Sequence, residues 1–289
     1  MILDIHTHIF PFEIASLAVD KLKRASRTRP FTDGTSAGLV RSRQEAGIDL
    51  CAVLPVATSP QQVVRINDRA ILTNTLTEET GLFSFGGMHP DFEGWKSELA
   101  RIAHAGVKGI KLHPVFQRVR LDDPRYLRIL DCAAGLGLVT LVHAGLDVEE
   151  GAEVFCTPQM ILHVSRELGR IPLILAHMGG WRQWDEAEEV LPQTPFYLDT
   201  SYCTGPIAPL DPEQWEGPVD TMPGGQFVRF VRLFGADRIL FGSDSPWQDQ
   251  KASLARIRAF PLTEQELEGI LGGNAAWLLG IPAGRAGLI

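Results

Sequence analysis

Residues 2–8 read Ile-Leu-Asp-Ile-His-Thr-His. The apolar Ile2, Leu3 and Ile5 predict a short buried strand, and two histidines two positions apart close it. Side chains alternate along a strand, so His6 and His8 are expected on one face, with Asp4 below them on the same face. Two imidazoles side by side can hold one metal ion. A lone His-X-His is also what one buried and one exposed histidine look like. The rest of the chain decides between the two.

Working outward, apolar runs recur at regular intervals. Eight strands are expected near 2–6, 49–56, 82–87, 108–112, 138–142, 172–176, 196–200 and 238–242. Helical periodicity fills the gaps, for example at about 13–26, 36–46, 60–79, 124–135 and 158–168. Continuous apolar strands suit a parallel sheet buried on both faces. Eight of them alternating with helices predict one α/β domain over 1–289, a closed (β/α)8 TIM barrel. An open doubly wound sheet is the alternative, but no Gly-X-Gly-X-X-Gly follows the first strand. The segment 203–223 carries five prolines and Trp215. It follows the seventh strand, so it is expected over the C-terminal mouth as a lid or recognition loop.

Composition narrows the class of partner. With 45% hydrophobic and 21% charged residues the chain has ample material for a core. A formal charge of -8 and a pI near 5.5 weigh against nucleic acid and anionic membranes. Cys51, Cys132, Cys156 and Cys203 are scattered without Cys-X-X-Cys spacing, which predicts reduced thiols in a cytoplasmic protein. A basic stretch followed by an apolar core is missing from the first residues, and no apolar run approaches about 18 residues. Neither a secretion signal nor a membrane span is expected.

In such a barrel the reactive groups gather at the C-terminal ends of the strands. His6, His8, His89, His113, His143 and His177 all fall at such ends, and only His104 and His163 lie within helices. Asp244 ends the eighth strand. His6 and His8 would supply two nitrogens, His143 or His177 a third, and Asp244 an oxygen to one divalent metal. Such a site keeps a position for water and lowers the pKa of that water from near 16 to roughly 7. Asp244 could also accept the water's proton. Lys111 and His113 share a strand face and could both reach a small-molecule substrate.

The motifs LDIHTH (3–8), GIKLHP (109–114), LVHAG (141–145), LAHMGG (175–180) and ILFGSDSPW (239–247) occur in order, with GGNAAWLLG (272–280) near the end. Together they resemble the amidohydrolase superfamily, in its amidohydrolase-2 branch of metal-dependent hydrolases and non-oxidative decarboxylases. The resemblance spans essentially the whole chain. It implies His6, His8, His143 and Asp244 as ligands of one divalent metal, with zinc the default and manganese and iron tolerating the same donors. His177 would be a further ligand or, as in the decarboxylating members, the acid/base. A strand-4 lysine is a carboxylated metal bridge in binuclear members, whereas Lys111 is expected to contact substrate, with His113 and His89 lining the pocket.

Metal-activated water attacking an amide, ester or lactone carbonyl is the first expectation, since tyrosines are few and no arginine is plainly aimed at a pocket. Decarboxylation of an aromatic or unsaturated acid is the alternative, and a catalytically inactive binding barrel is a third. A homodimer is an open expectation, as barrels of this kind often pair.

Overall fold

The computed structural model describes residues 1–147, 153–205, 208–214 and 221–282. Parallel strands alternate with helices around a barrel: β1 (Leu3–Thr7), β2 (Leu50–Val53), β3, β4 (Gly109–Leu112), β5 (Val139–Val142), β6 (Leu173–Leu175), β7 (Tyr197–Asp199) and β8 (Ile239–Leu240). Strand β3 is interrupted at Phe85 into Leu82–Ser84, which pairs with β2, and Gly86–Gly87, which pairs with β4. The remaining neighbours pair in chain order. The ring shuts between β8 and β1, where Ile5 N donates to Phe241 O at 2.9 Å and Asp244 N to His6 O at 2.8 Å. A parallel bridge joins Thr7 to Ser245 just beyond. The expected barrel is thus present. The expected helix at 60–79 is divided into a turn at Pro60–Gln62 and helices Val63–Thr75 and Thr77–Thr80.

Alternation along the strands divides the core in two. Leu50 and Ala52, Phe83 and Phe85, Val139 and Leu141, Ile174 and Leu240 fill the barrel. Cys51, Val53, Ile110, Leu112, Val142 and Leu173 pack outward against the helices. Phe85 is fully buried, a burial worth about 1.5–3 kcal/mol. It needs Gly109 beside it, because a Cβ there would stand 2.6 Å from the Phe85 ring and 2.3 Å from Val139 O. The floor of the barrel is sealed by the segment Gly269–Leu279. Asn274 Nδ2 donates to Ala236 O and Ile239 O at 2.7 and 2.9 Å, and a Cβ at Gly272 would lie 2.5 Å from Met1 O. The GGNAAW motif therefore serves the floor rather than the chemistry.

One expectation about β1 is overturned. The register with β2 runs Leu3↔Leu50, Asp4↔Cys51 and then Thr7↔Val53, so one extra residue is accommodated between Asp4 and Thr7. Such a bulge reverses the alternation. Leu3 and Ile5 face the barrel, Asp4 faces the helical layer, and His6 and His8 return to the barrel mouth. Asp4 is not below the two histidines. Its Oδ1 accepts from His6 N (3.1 Å) and Ser243 N (3.0 Å), while its Oδ2 accepts from Gln250 Nε2 (2.7 Å) and the Ser243 hydroxyl. The carboxylate therefore staples β1 to the end of β8.

Of the Pro-rich segment expected over the mouth, 206–207 and 215–220, Trp215 included, lie outside the described residues. Its described part pairs with the stretch after the first helix. Arg29 N donates to Ala208 O and Leu210 N to Arg27 O, at 2.7 and 2.8 Å. Phe31 N in turn donates to Pro246 O beyond β8, at 2.7 Å.

Candidate active site

Four histidines form a row across the mouth. Ring centroids step from His8 to His6 (5.1 Å), to His177 (5.3 Å) and to His143 (4.8 Å). Two of the positions owe their direction to unusual backbone. His177 and Asp244 both have left-handed φ, 58° and 67°, a conformation non-glycine residues adopt at some expense and typically at functional sites. On β6 the barrel-facing positions are Ile174 and Ala176, so an extended His177 would turn outward. The left-handed turn brings it back.

Each of the four rings has one nitrogen tied to an outer acceptor. His6 Nδ1 is 2.8 Å from Asp199 Oδ2, His8 Nδ1 2.8 Å from Leu54 O, His143 Nε2 3.0 Å from Leu146 O and His177 Nδ1 2.9 Å from Ser201 O. Carbonyl and carboxylate oxygens only accept, so those nitrogens carry the hydrogens and the tautomers follow. The Ser201 hydroxyl donates to Asp199 Oδ1 and accepts from His6 Nδ1 (2.9 Å) and His177 Nδ1 (3.0 Å). Asp199 and Ser201 went unnoticed in the sequence. The signal was there as Asp-Thr-Ser, a polar run ending an otherwise apolar strand.

The opposite nitrogens then face one another bare. His6 Nε2 lies 3.2 Å from His8 Nε2, and His143 Nδ1 lies 3.1 Å from His177 Nε2. Asp244 Oδ1 joins the first pair at 3.1 Å from His8 Nε2 and 3.5 Å from His6 Nε2. Burial lowers the pKa of His6 well below its ordinary value and takes His143 down to about 3 and His177 to about 4, so these rings are neutral near pH 7. Burial pulls the Asp244 carboxyl upward, and it drops below the ordinary carboxylate range only through positive charge on the neighbouring His6, His8 and His177, a charge that a bound cation would supply where those rings are neutral. Apart from the Lys111 ammonium 3.4 Å from His6 Nε2, lone pairs and a carboxylate converge here without protons, an arrangement that a metal cation among them would relieve. The outer acceptors are those that orient metal-bound histidines. The donor set fits a divalent metal, and the ligand atoms of His6, His8 and Asp244 all lie within 4.8 Å of one another, a group that does not include His143.

The other expected residues fall around this row. Lys111, 1% exposed, puts Nζ 3.4 Å from His6 Nε2, and burial lowers its pKa to about 8 against the pull of Asp199, Asp244 and Asp147. His113 stacks between Phe116 and His143, with centroids at 4.0 and 4.2 Å. Its ring is wired the other way round. Phe116 N–H donates to His113 Nδ1 at 3.4 Å, so Nε2 carries the hydrogen and faces Asp147 Oδ2 at 3.7 Å. His113, His143 and Asp147 form a second His/Asp group. The two rings are nearly parallel and each Nε2 is protonated, so this group is unsuited to a metal. His89 likewise accepts at Nδ1 from Asp91 N (3.2 Å), a turn-stabilising bond. Arg120 is held by Asp122 on the surface, at 2.8–3.0 Å.

The fold is a (β/α)8 barrel with a histidine row and an aspartate at its C-terminal mouth, the face on which such barrels carry their active sites. The amidohydrolase family model matches residues 3–281, and the chain belongs to that family. Searched against curated proteins, the sequence has no match. Solved structures that resemble it include an uncharacterised TIM-barrel protein of Bordetella bronchiseptica (TM-score 0.72, 16% identity, 97% of this chain and 98% of that one). The 5-carboxyvanillate decarboxylase of Sphingomonas paucimobilis superposes with TM-score 0.68 at 15% identity, over 97% of this chain and 99% of that one. A dihydroxybenzoic acid decarboxylase of Polaromonas with bound manganese gives 0.68 at 16% identity, over 97% of each chain. At such identities the likeness shows the shared fold. Among the described residues, no helix is long and apolar enough to cross a membrane.

Proposed function

We propose that this chain is a metal-dependent, non-oxidative decarboxylase of aromatic carboxylic acids. The observation that carries the proposal is His177. Its Nδ1–H is anchored on Ser201 O, its bare Nε2 is turned inward by a left-handed backbone, and burial keeps it neutral. That is a ring ready to take a proton on Nε2 and hand it on. The sequence favoured hydrolysis because tyrosines are few and no arginine is plainly aimed at a pocket. Phe116, stacked on His113 beside the row, is an aromatic ring next to the proposed site. The decarboxylases of 5-carboxyvanillate and dihydroxybenzoate on the same fold point the same way.

His6, His8, His143 and Asp244 are the proposed metal holders, with His177 kept for proton transfer. When bound, a divalent ion supplies the positive charge that steadies carboxylate and hydroxyl oxygens of the substrate. Lys111 Nζ, beside the row, is placed to pair with the departing carboxylate, and His113 Nε2–H to donate to a ring substituent. The bond from ring carbon to carboxylate breaks, carbon dioxide leaves, and the electron pair left on the ring carbon takes a proton that His177 Nε2, bare in the resting protein, has first taken up from solvent. Zinc remains the expected ion, and manganese suits the same donors.

One observation favours a second reading. Asp244 stays ionised, so it can accept a proton from water, as hydrolysis of an amide, ester or lactone requires. Metal-loaded protein incubated with hydroxylated aryl acids and, separately, with lactones and amides decides. Carbon dioxide release supports decarboxylation. New carboxylate without carbon dioxide replaces it with hydrolysis.

A further inference from the structure

The helix that follows β1, Phe12–Ser26, is inside out. Its buried positions are Ala15, Val19 and Ser26, none of them large, whereas Phe12 is 83% exposed, Leu17 73% and Ile14 48%. Single apolar side chains on a surface are ordinary, but a contiguous group of them marks a contact site. Two more exposed apolar side chains flank the helix. Leu210 is held beside its end, where Leu210 N donates to Arg27 O at 2.8 Å. Phe31 lies on the turn that Phe10 N ties down at Gly34 O, also 2.8 Å.

Charges along the same stripe are sorted by sign. Glu13, Leu17 and Lys21 follow at four-residue spacing and Arg24 continues the face, so all four share one side of the helix, and all are exposed. Among the described residues Glu13, Lys21 and Arg24 have no ion-pair partner. Acid at the start and base at the end is the order the helix dipole favours within one chain. It also makes the stripe complementary to itself when reversed. The net charge of -8 disfavours nucleic acid or an anionic membrane as the partner of this face. A reversed copy matches both its apolar centre and its charges.

We propose that a second copy of this chain packs on this face, the two helices antiparallel about a two-fold axis at Leu17. In such a contact the same patch meets itself, so each pairing occurs twice. Leu17 lies against the partner's Leu17, Glu13 against the partner's Lys21, and Lys21 against the partner's Glu13. A parallel arrangement would set Glu13 on the partner's Glu13, and like charges so placed are destabilising. A stable pair takes about 800 Å² from each chain, more than one helical stripe offers, so Phe31 and Leu210 extend the contact beside the helix.

The test is sedimentation velocity and light scattering of the metal-loaded full chain. Wild type at about 10 μM should show twice the 31.8 kDa chain mass. Leu17→Glu brings two carboxylates together on the axis and should weaken the dimer about tenfold or more. Glu13→Lys and Lys21→Glu should each weaken it about tenfold, because each turns two attractive pairs repulsive. The double swap restores opposite charges and should return the dimer to within about threefold of wild type. All three positions are exposed, so circular dichroism and metal content of every variant should match wild type. Should Leu17→Glu lose its fold, the charge swaps decide alone. A wild type still monomeric at about 100 μM would overturn the proposal, as would a dimer indifferent to Leu17→Glu. A double swap no tighter than either single change would overturn the antiparallel register.

Discussion

His6 Nδ1 and Asp199 Oδ2, 193 positions apart in the chain, meet at 2.8 Å in a fully buried pair. Asp199 thereby sets the tautomer of His6 and turns its Nε2 toward His8 and Asp244. Asp199→Asn should weaken zinc or manganese binding by about 10–100-fold, measured by competition with a chelator of known affinity. A change below twofold would show that His6 needs no orienting partner.

Removing the metal tests the row as a whole. Protein purified without chelator should carry about one equivalent of zinc, manganese or iron by elemental mass spectrometry, and His6→Ala and Asp244→Ala should carry little. Chelation should lower the melting temperature of wild type, because an ion that binds only the folded state stabilises it by mass action. Near two equivalents would instead point to Lys111 as a bridging ligand.

His177 separates ligand from acid/base. With His177→Asn, metal content should stay at the wild-type level while turnover falls about 10²–10⁴-fold, the usual worth of a positioned proton donor. Loss of the metal in this variant would make His177 a ligand and leave the proton step without its donor.

Asp4 predicts a pH effect on stability. Burial raises its pKa from 3.8 to about 6, against hydrogen bonds from Ser243 and Gln250. A carboxyl whose folded pKa is raised stabilises most fully below its unfolded pKa, and that contribution disappears as pH rises through the folded value. Between pH 4 and 6, metal-free wild type should therefore lose on the order of 2 kcal/mol relative to Asp4→Asn. Chemical denaturation of both at each pH reads this slope. Parallel curves would mean that Asp4 stays ionised throughout.

Gly145 has φ of 88°, and a Cβ there would stand 2.1 Å from Trp181 N and 2.5 Å from Trp181 O. Gly145→Ala should destabilise the protein by roughly 2 kcal/mol or more, combining left-handed strain with displacement of the loop. Ligand binding should weaken with it. An unchanged melting temperature would show that the Trp181 loop is not fixed by this contact.

Much of this was legible in the chain. Phe83 and Phe85, Val139 and Leu141, and the runs around them announce parallel strands, and the histidines at their ends announce the mouth. What could not be read were departures from alternation. The bulge after Asp4 depends on hydrogen bonds from Ile5 to Phe241 and from Asp244 to His6, partners more than two hundred residues away. No local pattern in Leu-Asp-Ile-His encodes it. The turn that redirects His177 is equally hidden, since Met178 beside it is also left-handed and neither residue favours that conformation. Asp199 was passed over because a carboxylate becomes an orienting group only once the fold puts an imidazole next to it.

The seam between β1 and β8 also sets a timetable. Asp4, His6 and His8 are made long before Ser243, which the Asp4 carboxylate grips 239 positions further on, with Asp244 next. At about 5–20 residues per second, the two histidines wait on the order of ten seconds or more for their carboxylate. A nascent chain stalled before β8 has half a claw and an open barrel. Until then neither the Asp4–Ser243 contact nor the backbone hydrogen bonds from Ile5 to Phe241 and from Asp244 to His6 can form, so the ring closes only when its last strand is made.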